Sequence, residues 1–209
     1  MLLYAKAEEY FSENSFSVYL ENTKIQPDRL DTYADGSYGT SWIVVVEPSG
    51  SNSARLMTTA IVQSIMAKFG KNDNIAVYNA YSNTKTEFLN SEASVMAVLE
   101  KALTPDGTQA LNIKLYDTIG SALTTFETNN NLNAHKCLLV ISRLEDKGSA
   151  GYLLNDLSRK ASELPVTIYT VGLTGFDSNA LDPLLEEFKV LTSATKSGLA
   201  IPAPNIRQE

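Results

Sequence analysis

The run Trp42-Ile43-Val44-Val45-Val46 constrains the fold more than any other stretch of the chain. It is short, continuous and β-branched, as a strand covered on both faces requires. A strand with one wet face would alternate instead. Pro48, Ser49, Gly50 and Ser51 break the run. From Ser53 the apolar period becomes helical, through Leu56, Ala60, Ile61, Ser64, Ile65 and Phe69, and Gly70 stops it. A doubly covered strand followed by an amphipathic helix points to a parallel sheet between two helical layers.

The rest of the chain keeps that rhythm. Asn74 to Tyr81 reads as a second strand, and residues 84–89, with Thr86 to Leu89 at their end, as a short antiparallel partner beside it. Ser91 is placed to cap a helix carrying Val95, Val98, Leu99 and Leu103, with Glu92 in its first turn. Pro105 to Gly107 reads as a turn. Leu115 to Phe126 is the next helix, ended by Asn129-Asn130-Asn131. Cys137 to Ile141 is a further buried strand, Gly151 to Leu164 a helix, Val166 to Val171 a strand and Leu181 to Leu191 a last helix. Strands alternating with helices predict an α/β three-layer sandwich, Rossmann-like, with a mostly parallel central sheet.

Residues 1–40 do not join this pattern. Phe16 to Leu20 alternates like an edge strand, and Asp28 to Thr40 reads as a polar loop. We divide the chain into a β-rich lead-in (1–40), a main domain (41–200) and the start of a linker or tail (201–209). Both ends read as cuts from a longer chain. Phe11, Phe16, Val18 and Leu20 are too apolar to leave in water at about 25 cal/mol per Å². Ser15 to Glu21 is therefore expected to form a strand docked on the domain.

Composition narrows the function. The chain has 209 residues, of which 17 are Lys or Arg and 24 Asp or Glu, giving a net charge of −7. An acidic surface without a basic run repels phosphate backbones, so nucleic acid is not an expected partner. No apolar run approaches the ~20 residues of a membrane span, and no membrane insertion is expected in this segment. One cysteine, Cys137, leaves no internal disulfide and no thiolate cluster; one histidine, His135, leaves no multi-His metal site.

Catalytic motifs are missing. There is no Gly-x-Ser-x-Gly elbow and no Gly-x-Gly-x-x-Gly after the first strand. Phe69-Gly70-Lys71-Asn72 lacks the upstream glycine of a phosphate loop. Asp31 to Gly36 begins like a calcium loop, but its third position is Tyr33 and its twelfth Trp42. An enzyme is not expected.

In an open α/β sheet, ligands bind beyond the carboxyl ends of the strands. The first such end is Glu47-Pro48-Ser49-Gly50-Ser51-Asn52, where a carboxylate and two hydroxyls offer hard oxygens. This segment resembles the opening of a von Willebrand factor type A (vWA) domain, which usually runs Asp-x-Ser-x-Ser. Leu115-Tyr116-Asp117-Thr118-Ile119 resembles that family's third-helix motif, Lys136 to Ile141 its central strand, and Thr167 to Gly172 its late strand. The resemblance spans about residues 41–200.

The resemblance implies a metal ion-dependent adhesion site built from five side chains. The first Asp falls on Glu47 and the two Ser on Ser49 and Ser51. The Thr falls on Ile113 and the second Asp on Arg143. Ile113 offers no oxygen, and Arg143 brings a permanent positive charge. The site is thus expected to be degenerate and metal-free. Mg²⁺ or Ca²⁺ is disfavoured; an ion, if present, would use Glu47, Ser49 and Ser51. Asp146 would substitute only if the alignment slipped. A guanidinium at Arg143 can instead bond Glu47 in a bidentate fork.

The resemblance implies a protein-interaction, adhesion or scaffold module. Its partner face comprises Glu47, Ser49, Ser51, Asn52, Ile113 and Arg143. The alternative is a Mg²⁺-dependent adhesion domain with atypical ligands, and the reading with least support is an enzyme. The lead-in strand is similar to that of secreted bacterial vWA proteins, which implies an extracellular or cell-surface location over a cytoplasmic one. Ser51 also has a purely structural reading, as the cap of the helix that follows.

Overall fold

The structure is a computed structural model, and it describes residues 18–20, 23–25, 38–105, 112–173, 181–195 and 198–203. Two short strands, β1 (Val18–Leu20) and β2 (Thr23–Ile25), pair antiparallel as a sheet of their own. Of the strand expected to dock on the domain over Ser15 to Glu21, Val18–Leu20 is a strand, but it pairs with β2 and not with the main sheet. Phe11, Phe16 and the Asp31–Gly36 segment lie outside the described residues.

Among the described residues the main sheet has five strands: β3 (Thr40–Val46), β4 (Asn74–Asn79), β5 (His135–Ser142), β6 (Val166–Gly172) and β7 (Leu199–Pro202). All neighbours are parallel, in the order β4-β3-β5-β6-β7. The antiparallel partner expected at residues 84–89 appears as two isolated bridges, Ile75 to Leu89 and Tyr78 to Lys85. β7 is not among the expected strands, and it carries the sheet two residues past the 41–200 boundary into the segment read as a tail.

Alternation along the strands divides the core in two. Ile43, Val45, Leu138, Val140 and Ile168 face α3 (Leu115–Thr128), α4 (Leu154–Ser162) and α5 (Leu181–Ser193). Val44, Val46, Ile75, Val77, Leu139 and Ile141 face α1 (Asn52–Met66) and α2 (Glu92–Leu103). The continuous apolar runs are thus two alternating sets, one per layer, as a sheet covered on both faces needs.

α1 differs from the expected pattern. Its buried residues are Thr58, Val62 and Met66, whereas Leu56 is 58% exposed. The stripe at i, i+4, i+8 that faces the sheet begins with Thr58, whose hydroxyl donates to the Ala54 carbonyl at 2.9 Å and so is satisfied when buried. Ser91 occupies the N-cap position of α2 but makes no capping bond with its side chain.

Candidate functional site

The order of the strands fixes where a site belongs. From β3 the chain moves out to β4 on one side, then returns to place β5 on the other. The crevice beyond the carboxyl ends of β3 and β5 is the switch point of the sheet, where open α/β sheets take their ligands. Glu47 directly follows β3, and Arg143 directly follows β5.

These two residues meet. The Arg143 backbone N–H donates to Glu47 Oε2 at 2.9 Å, and Arg143 Nε donates to Oε1 at 2.6 Å. Arg143 Nη2 also bonds Oε1. The contact differs from a simple fork, because both guanidinium donors converge on one oxygen and the main chain takes the other. The Glu47 side chain is 2% exposed and that of Arg143 47%. A desolvated carboxylate is thus neutralised from its one open side by a cation that keeps half its surface in water.

The residue after Arg143 helps to set this geometry. Leu144 has φ 65°, in the left-handed region that a bulky side chain rarely enters, yet its side chain is fully buried. Its N–H donates to Ser142 Oγ at 2.9 Å. Burial of the leucine, worth ~1.5–3 kcal/mol, offsets the ~1–2 kcal/mol cost of that backbone state.

The other expected site residues have separate tasks. Ser49 Oγ accepts from the Ser51 N–H at 3.1 Å, and Ser51 Oγ caps α1 by accepting from the Ala54 N–H at 3.4 Å. Asn52 opens α1 and is exposed. Ile113 is 2% exposed and packs in the core with Leu144, so its side chain is not part of any surface face. That corrects the expectation that it lines the partner face. Its carbonyl instead accepts the N–H groups of Lys147 and Gly148, both at 2.9 Å.

Sequence reasoning missed a second set of groups that holds the loop after β5. Asp146 Oδ1 accepts from the Tyr116 N–H at 3.0 Å and from Ser149 Oγ at 2.6 Å. Asp117 accepts the N–H groups of Ala150, Gly151 and Tyr152 at 3.1, 2.9 and 3.2 Å. Asp146 is therefore engaged at the start of α3. The signal available was Asp146 itself, a carboxylate near in sequence to the end of β5 that can meet the unpaired N–H groups at a helix start, here that of Tyr116. Lys147 pairs with Glu145, and that hydrogen bond holds the Glu145 carboxyl below its usual range.

The family's Mg²⁺ does not fit these residues. One of the three expected donors, Glu47, has both oxygens bonded by Arg143, and a guanidinium stands where a second carboxylate would be needed. Among the described residues, no three His, Cys, Asp or Glu side chains cluster as a metal site.

A parallel five-stranded sheet covered by helices on both faces defines the class among the described residues. The fold within that class is that of a vWA domain. The SpRpn10 VWA domain matches over 81% of this chain and 91% of its own, at 14% identity and a TM-score of 0.52. A mutant of the PilB minor pilin from Streptococcus sanguinis matches over 83% of this chain at 11% identity and a TM-score of 0.50; this chain spans 59% of it. No protein-family profile matches the sequence, and no curated protein does. Among the described residues, no helix is long and apolar enough to cross a membrane.

Proposed function

We propose that the chain is a protein-interaction module of the vWA type, of the adhesion or scaffold kind, that works without a metal ion. The observation that carries this reading is the Glu47–Arg143 pair. The guanidinium holds β3 and β5 together at the point where the family uses a divalent cation. Its exposed half, together with Ser49, Ser51 and Asn52 of the segment that follows β3, is then the partner face. Arg143 has donors left after Glu47 is bonded, and a protein partner presenting a carboxylate or a backbone carbonyl suits them. A location outside the cell is part of this proposal, and it rests on the resemblance of the lead-in strand to that of secreted bacterial vWA proteins.

Calorimetry with Mg²⁺, Mn²⁺ and Ca²⁺ tests the absence of a working metal site. We expect no binding at micromolar levels by the wild type. Glu47→Asp combined with Arg143→Asp should gain Mg²⁺ affinity. Arg143→Ala alone should lose about 1–3 kcal/mol of stability, less than a fully buried pair because the arginine is half in water, and should gain no metal affinity. Micromolar Mg²⁺ binding by the wild type would return the reading to a metal-dependent adhesion domain. Partner capture that survives EDTA and is lost in Arg143→Glu is the matching expectation for the interaction role.

A further inference from the structure

We draw no further inference here: the strongest candidate, the apolar patch at the β7 end of the sheet, where Leu199 and Ile201 stand exposed on the same face as Tyr169 and Val171 of β6, carries nothing because no described residue shows what covers it.

Discussion

His135 stands half-buried at the start of β5, with Nδ1 3.1 Å from the Thr40 hydroxyl. Burial lowers its pKa below the usual value, and the nearby Asp73 carboxylate opposes this more weakly. The protonated form is thus disfavoured in the folded state relative to the unfolded chain, which titrates near ~6.5. As the pH falls through ~6.5, the unfolded chain takes up the proton first and stability declines, levelling off below the folded pKa. We expect Tm to fall between pH 7.5 and pH 5.5, and the slope to be reduced in His135→Gln. An equal slope in the two proteins would place the acid sensitivity elsewhere. Single residues were also where the sequence was most uneven as a guide. The residue types at positions 47 and 143 suggested an ion pair, but an Arg143 turned to water with Glu47 at the helix start was equally open to the sequence, and the contact itself decides for the pair. Nothing in the sequence placed Leu144 in the left-handed region, since that state depends on a buried pocket assembled from distant elements.

At the scale of elements, the loop between β5 and α4 is held by α3 more than by its own residues. Asp117 alone satisfies three consecutive N–H groups, at Ala150, Gly151 and Tyr152. Tyr152 in turn packs where Gly120 of α3 has no side chain; a Cβ at Gly120 would collide with the ring. Asp117→Ala should cost about 1–2 kcal/mol, the range for a few partly exposed hydrogen bonds to a charged acceptor. Amide exchange at residues 150–152 should accelerate while β5 stays protected. Asp117→Asn, which keeps an acceptor, should fall between. The elements themselves were largely legible. β3, β4, β5 and β6 announced themselves as apolar runs, and α3 by Leu115, Ile119, Leu123 and Phe126, all buried. β7 escaped because Leu199-Ala200-Ile201-Pro202 is short, ends in proline and sits on an edge where Leu199 and Ile201 are exposed. The core side of α1 escaped because it begins with a threonine.

For the molecule as a whole, Cys137 provides a gauge. It lies 1% exposed in β5, between β3 and β6. Burial pushes its thiol up to about 12, so the native protein holds no reactive thiolate at neutral pH. Reaction with a disulfide reagent at pH 8 requires the sheet to open. The opening free energy from labelling rates should therefore equal that from denaturant unfolding. Labelling much faster than that would mean that β5 opens while the rest of the sheet persists. The topology was predictable at this scale as a class, parallel and covered on both sides. Its strand order was not, because order is set by which helices pack together and not by any one segment.

The Glu47–Arg143 contact joins residues 96 positions apart, and the β3–β5 pairing beneath it spans almost the same length of chain. On the ribosome, where synthesis runs at about 5–20 residues per second, β3 therefore emerges some 5–20 seconds before the strand that flanks it. During that interval its most apolar segment has β4 on one edge and nothing on the other, the condition under which strands pair with neighbouring chains. Glu47 at the end of that strand is meanwhile an unpaired charge in water.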